Sequence, residues 1–469
     1  MIQKQDTVQL KQEFICIEDM VPKDHLLRKI DRHISFSFIY EKTKDLYSDI
    51  GRPGIDPAVL IKMMLIGYLF GIRSERRLEQ EIKVNVAYRW FLGLGLSDSV
   101  PDHSTISQNR RRRFKGTDIF RQIFDEIVRQ SIDSGLVSGK YLFTDSTHLK
   151  ASANRNRREK VEVEQSPKDY LDELEMAVNI ERKAHGKKPL PQGGDKPPEK
   201  KKINRSLTDS DSGYMCRDRK GEGFYYLNHV TTDSKHNIIT DVHVTPGNVN
   251  DSVPYLERLD YQIEKFNLGV DGVGLDAGYS TAAICKGLDD RGIFGVIPYI
   301  RSRRKGFKIQ KRHFKYDSEE DVYICPEGQK LCYRTTNRSG SSEYVSDPKI
   351  CGSCKSLSEC TKSKNKIRTV TRHVWQKYKD QIRKNILTSL GKYLRQKRRE
   401  TVERSFADAK ELHGLRYARY RGLENVTEQC LMTAAAMNIK KMACHLCFFI
   451  LYWLKKRSKI GFCKLIFQF

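Results

Sequence analysis

Up to about residue 135 the apolar positions recur with helical spacing. Asp56-Pro57 supplies an acidic N-cap with proline in the first turn, and the apolar run Val59-Leu60-Ile61-Lys62-Met63-Met64-Leu65-Ile66 follows until Gly71. Ser74 opens a second, charged helix through Arg76, Arg77, Leu78, Glu79 and Ile82. A third begins near Ser104, after Pro101-Asp102, and carries the unbroken run Arg110-Arg111-Arg112-Arg113. Two short helices around a glycine turn, then a basic one, resemble a helix-turn-helix arrangement that sets the arginines on DNA; a plain bundle with a solvated basic face is the alternative. Ile119 to Ser134 predicts one more helix, ended by Gly135.

The period then shortens. Lys140-Tyr141-Leu142-Phe143-Thr144-Asp145 predicts a buried strand ending in an acid. Gly223 to Thr232 and Ile238 to Val244 pair as a hairpin around Asp233-Ser234-Lys235-His236-Asn237. A helix over Asp251 to Lys265 leads to two more short strands, Gly272 to Asp276 and Phe294 to Pro298, an order that predicts a mixed α/β domain. Two stretches interrupt it. Residues 152–222 are poor in apolar side chains and rich in Lys, Glu, Pro and Gly, and read as a mobile insertion; residues 301–375 hold a crowd of cysteines. Helices return at Tyr393 to Leu412 and Val426 to Trp453.

Charge changes the picture. Against 59 acids stand 85 Lys and Arg, a formal net charge of +26, which calls for a polyanionic partner. The apolar stretch Ala443 to Leu454 is shorter than the ~20 residues of a spanning helix, and the first residues carry no signal-peptide pattern, so the expectation is a cytoplasmic, nucleoid-associated protein without a membrane partner.

Asp145 and Asp276 end neighbouring strands, so their carboxylates converge at one sheet edge, where a divalent cation, magnesium or manganese, is the expected partner. The helix Arg398 to Lys410 offers a third ligand. At 100° per residue Arg399, Glu403 and Lys410 fall within a ~40° stripe, beside the apolar face of Val402, Phe406 and Ala409. Singly, each acid reads equally well as a turn or cap residue, and the stripe as a solvated salt-bridged face. Glu400 competes with Glu403, but the positions four before and seven after Glu400 are Gln396 and Ala407, which cannot neutralise phosphate.

Phe143 to Asn154 resembles the first catalytic block of bacterial insertion-sequence DDE transposases, and Gly274-Leu275-Asp276-Ala277-Gly278-Tyr279-Ser280 resembles the second. Arg399 to Lys410 resembles the third, and Gly414 to Gly422 its usual continuation; the helices through Pro101-Asp102-His103-Ser104-Thr105-Ile106 are similar to the InsH-type N-terminal domain. One departure is Gln396, where the family often has Tyr. The resemblance implies an α/β, RNase H-like mixed-sheet catalytic domain, an all-helical DNA-binding domain over 1–118, catalytic segments at 119–300 and 376–469, and an inserted cysteine-rich segment at 301–375. It also implies Asp145, Asp276 and Glu403 as magnesium ligands, Arg399 and Lys410 on phosphates, and a homodimer on double-stranded DNA. A metal-dependent nuclease without strand transfer and an inactive DNA-binding regulator are the alternatives.

Of the 12 cysteines, Cys325, Cys332, Cys351, Cys354 and Cys360 crowd into the second insertion. Cys351-Gly352-Ser353-Cys354 has the spacing of a zinc knuckle that Cys325 and Cys360 could complete, leaving Cys332 spare or exchanging with Cys325; free thiols are the alternative. Just before them, Arg301, Arg303, Arg304, Lys305, Lys308, Lys311, Arg312 and Lys315 form an acid-free basic run suited to DNA backbone.

Overall fold

The computed structural model describes residues 14–48, 50, 54–164, 171–191, 200–217, 221–299 and 308–457. The first part is helical, and its starts are set by side-chain caps. Asp56 accepts the Ala58 amide (2.7 Å) ahead of the helix Pro57–Leu69, Ser74 the Arg77 amide ahead of Glu75–Val84, and Asp102 the Ser104 amide ahead of His103–Arg112. Each satisfies an amide that the first turn leaves without a partner.

Five strands make the central sheet: β1 (Tyr141–Lys150), β2 (Gly221–Asp233), β3 (Ile239–Pro246), β4 (Gly272–Leu275) and β5 (Phe294–Val296). They lie in the order β3-β2-β1-β4-β5, antiparallel across the first two joins and parallel across the last two, with the short strand Gly213–Arg217 extending the β2 edge. This is the RNase H-like order. Strand β1 runs five residues past Asp145 because Ser146 to Lys150 go on pairing with β2 after the parallel ladder with β4 ends at Thr144 and Leu275. Asp145 therefore stands mid-strand, where the parallel pairing stops, and not at a strand terminus as the sequence predicts.

The helix Leu423–Arg457 returns across the sheet to the N-terminal helices. Its buried Val426, Cys430, Ala434, Ala435, Ala436 and Met442 join Leu60, Ile66, Ile123, Leu142 and Val242 in one continuous apolar core. No described helix is long and apolar enough to cross a membrane.

Both insertions carry structure. Within 152–222, read above as mobile, Arg158–Glu164 pairs antiparallel with Lys200–Ser206, and the helix Leu171–Ala184 docks through Leu174 and Val178 on Trp375. A few apolar anchors and cross-strand charge pairs such as Lys202–Glu162 (3.5 Å) replace the hydrophobic pattern that the composition lacks. The second insertion forms an antiparallel five-stranded sheet, Lys315–Asp317 through Thr369–His373.

One buried group makes the sheet acid-sensitive. His229 in β2 is 5% exposed, its Nε2 2.9 Å from Thr245 Oγ1, and burial, with His243 beside it, pushes its imidazole from the ordinary 6.5 down to about 3. Below pH 6.5 the unfolded chain takes up a proton that the folded chain refuses. Stability is therefore full above that pH and falls toward pH 3, by at most about 1.4 kcal/mol per pH unit. His229→Gln, followed by circular dichroism across pH, should unfold at lower pH than the parent; an unchanged acid midpoint would assign the sensitivity elsewhere.

Candidate active site

The sheet brings Asp145 and Asp276 side by side. The parallel register pairs Thr144 with Leu275, so the next residue of each strand is an acid, on neighbouring chains ~4.8 Å apart. Strand alternation puts Asp145 on the face of Phe143 and Asp276 on the face of Gly274. Both are the same face: Phe143 packs with Leu394 and Val402 of the overlying helices, and a Cβ on Gly274 would lie 2.7 Å from the Phe143 ring. Tyr279, three residues on, is 1% exposed and packs its ring on Tyr255 (5.3 Å), fixing the turn behind Asp276.

Glu403 arrives from above that face. The helix Ser389–Arg398 lies against β4 and β5 and passes into a π-helical turn, Arg399–Glu403, that rests on β1 and β2, before Arg404–Glu411 resumes as α-helix. Thr401 Oγ1 donates to the Lys397 (3.0 Å) and Arg398 (3.1 Å) carbonyls of the widened turn. Such a turn breaks the regular 100° step assumed for the Arg399, Glu403 and Lys410 stripe. One consequence is that Arg398 faces the site. Its guanidinium meets Asp145 Oδ2 at 2.5 Å and Glu403 Oε1 at 3.8 Å, while Arg399 is exposed and Lys410 half-buried one helix further on. Glu403 is 58% exposed and free to meet a ligand. Glu400 turns outward to Gln396 (3.1 Å) and Lys397 (3.4 Å).

Two further groups adjoin the acids. Ser146 donates its amide to Asp145 Oδ1 (2.8 Å) and its hydroxyl to Asp251 Oδ1 (2.9 Å). Burial pushes the Asp145 carboxyl up to about 6; Arg398 and the Ser146 amide pull it down, and the Asp276 and Asp251 carboxylates push it up. Carboxylates gathered under a guanidinium are what an oxygen-loving divalent cation needs, and Arg398 stands where positive charge is called for. Among the described residues the tighter acid clusters lie elsewhere, at Glu79, Asp102 and His103 and at Glu181, His185 and Asp321. The sequence reading does not single out Arg398, Ser146 or Asp251 as site residues. Arg398 adjoins the third block, but only the π turn aims it inward.

The basic run of the N-terminal helices divides. Arg110 is largely buried at the floor of a cleft and held by ion pairs, rather than standing on an exposed basic face as the sequence predicts. Its side chain is 10% exposed, ion-paired with Glu75 and with Glu428 (2.6 Å), and lies 4.4 Å over the Tyr420 ring. Arg113 stacks on Tyr47 (3.9 Å) and donates to Asn109 Oδ1 (2.6 Å). Arg111 and Arg112 are exposed, and Arg111 lines an open cleft with Arg73, Arg419 and Arg421, bordered by Ser107 and Ser152. The cleft joins the N-terminal helices to the Gly414–Gly422 segment, a juxtaposition of distant sequence that no local pattern reveals. Arg301, Arg303, Arg304 and Lys305 lie outside the described residues; Lys308 pairs with Glu359. Cys325, Cys351, Cys354 and Cys360 line one pocket of the inserted sheet, and Cys332 is exposed apart from it.

Two transposase family models match parts of the chain. A family described as "Transposase domain (DUF772)" matches residues 15–112, and one described as "Transposase DDE domain" matches residues 324–443. No curated protein matches the chain. Similar solved structures include a piggyBac transposase synaptic complex with hairpin DNA, at 11% identity and a TM-score of 0.32 over 94% of this chain and 83% of that one. Another is a Mos1 transposase paired-end complex with left transposon end, at 10% identity and a TM-score of 0.16 over 55% and 64%. Transposase family models thus match on both sides of the Asp145 and Asp276 pair, and together they support an insertion-sequence DDE transposase.

Proposed function

We propose that this transposase cuts double-stranded DNA at the ends of its element and joins them to a target, with Asp145, Asp276 and Glu403 as the ligands of divalent magnesium or manganese. The observation that supports the reading is that Asp145 and Asp276 follow a paired register on neighbouring strands, with Arg398 reaching both Asp145 and Glu403 from the start of the overlying π turn. Their all-oxygen donor set suits these ions, and the buried, carboxylate-crowded Asp145 fits a cation. When bound, such ions neutralise the scissile phosphate and favour the attacking and leaving oxygens of an in-line displacement.

The chain's own part is to position and to balance charge. Ser146 holds Asp145 by its amide and Asp251 by its hydroxyl, which fixes both carboxylates against the turn after β4. Arg398 favours the ionised form of Asp145 against its burial and can transfer its charge-assisted bonds to a phosphate once the acids have a cation partner. The Arg73, Arg111, Arg419 and Arg421 cleft holds backbone further from the cut. A homodimer, one protomer at each DNA end, is the assembly that suits paired cuts.

The test is a duplex carrying the inverted repeats that flank the gene, incubated with the chain and magnesium or manganese. Joined products support the reading, whereas cleavage without joining would make it a nuclease and neither a binding regulator. A second expectation concerns the cleft. Replacing Arg73, Arg111 and Arg421 by Ala should flatten the plot of log affinity against log salt by roughly 0.9 per lost phosphate contact, equally for specific and unrelated duplexes. An unchanged slope with affinity lost for one sequence alone would make these side chains base readers.

A further inference from the structure

The inserted sheet between β5 and the helix Gln376–Leu387 is poorly held by its own apolar interior. Its buried hydrophobic cluster is Phe314, Tyr323, Leu331, Tyr344 and Val370. Two helical pieces close over it, Pro348–Gly352 and Leu357–Cys360, each far too short to persist unaided. Units with so little core usually carry a staple.

The geometry points to a structural zinc ion held by Cys325, Cys351, Cys354 and Cys360, stapling both short helices to the strand Val322–Ile324. All four thiols are free and half-buried, and all line one pocket whose other walls include Ile309, Phe314, Leu331 and Ile350. Cys332 is exposed on the strand Lys330–Thr336 and outside that pocket, which removes it from the ligand set.

The backbone around each sulfur is that of a ligand turn. Cys325 leaves its strand into Pro326-Glu327-Gly328, where Gly328 takes a φ of +77° and its amide donates to the Cys325 carbonyl (2.9 Å). The chain then turns back, so that the Gln329 amide donates to Cys325 Sγ (3.3 Å) and fixes where the sulfur points. On the facing side the Cys354 amide donates to the Cys351 carbonyl (3.2 Å), which returns both cysteines to one side of the chain, and Cys360 closes its helix against Ser356 (3.0 Å). Arg368, 8% exposed, donates to the Cys360 carbonyl (2.8 Å) and sets a fixed cation beside the cluster. That charge offsets part of the net negative charge of four thiolates around Zn²⁺.

The sulfurs stand around the pocket wall more widely than a bound ion requires, and Cys351 Sγ meets Ser346 Oγ at 3.1 Å. Coordination therefore draws the two short helices inward onto the Cys325 turn. Disulfides would join these cysteines in pairs; one tetrahedral ion uses all four at once. The site goes beyond the catalytic reading and stands whether or not the chain cuts DNA.

The test uses the full chain, purified under reducing conditions and assayed for metal. About one zinc per chain is expected. Replacing zinc by cobalt should give the absorption of a tetrahedral four-thiolate centre, and zinc should protect four thiols from alkylation. Cys332→Ser should keep the ion; the double variant Cys351→Ser with Cys354→Ser should lose it and melt at lower temperature. Absence of zinc even after resupply, a cobalt spectrum with fewer than four thiolates, or zinc retained by the double variant would each overturn the assignment. The cobalt and alkylation measurements need only the parent chain, so a variant that fails to fold leaves the site testable.

Discussion

Glu403→Gln should fold, bind element-end DNA and fail to cut it. The substitution keeps size and helix propensity and removes one charge from a side chain that is 58% exposed, so stability should change by no more than about 0.5 kcal/mol. Catalysis depends on that charge. A carboxamide is a poor ligand for a hard divalent cation, and losing one of three carboxylates should lower cleavage at least about a thousandfold, ~4 kcal/mol of barrier. Glu400→Gln is the matched control, since its carboxylate bonds Gln396 and Lys397 on the outer surface, and it should cut normally. Quantifying nicked product from an end-labelled duplex in magnesium, alongside a binding isotherm, separates the two steps. Robust magnesium-dependent cleavage by the Glu403→Gln chain would sink the assignment of Glu403, and a matching loss in Glu400→Gln would show that the π turn presents the other acid.

What could be read ahead of the structure was the part that local pattern determines. The helix starts at Asp56 and Ser74 announce themselves because each side chain must satisfy amides within three residues, whereas the cap at Asp102 lies two residues ahead of the start expected near Ser104. The hairpin of β2 and β3 follows from alternation and a polar turn, and the mixed α/β order from the spacing of short apolar runs. Where the sequence misleads, the deciding contact is distant or geometric. Strand β1 looks finished at Asp145 because the next three residues are polar, yet β2 supplies their partners. The charged first insertion looks mobile because composition averages hide Leu174 and Val178, which find Trp375 far along the chain. Among the site residues, Arg398 was invisible for a different reason: an even helical step points Arg399 toward Glu403, and a single π turn moves that part to its neighbour. The Arg73, Arg111, Arg419 and Arg421 cleft needs the long C-terminal helix to bring the two ends of the chain together.

The four consecutive arginines show how far that limit reaches, and they give the second large effect. Arg110→Met should destabilise the fold by about 3–5 kcal/mol, while Arg111→Ala and Arg112→Ala should change stability little and weaken DNA binding. All four look alike in sequence, but Arg110 alone is packed into the joint between the N-terminal helices and Leu423–Arg457, with Glu75 on one side and Glu428 on the other. Glu428 is 4% exposed, so burial pushes its carboxyl up and the guanidinium holds it down. Removing the arginine leaves that acid buried without its cation, and the cost is the desolvation of the stranded charge more than the loss of the bond itself. The double variant Arg110→Met with Glu428→Leu removes both charges and should recover most of the stability, because two apolar side chains of similar volume suit the space. Chemical denaturation of the parent, both single variants and the double variant closes the cycle, with a coupling energy of several kcal/mol expected. Simple additivity, or an Arg110→Met chain as stable as its parent but impaired only in DNA affinity, would return Arg110 to the DNA-facing set.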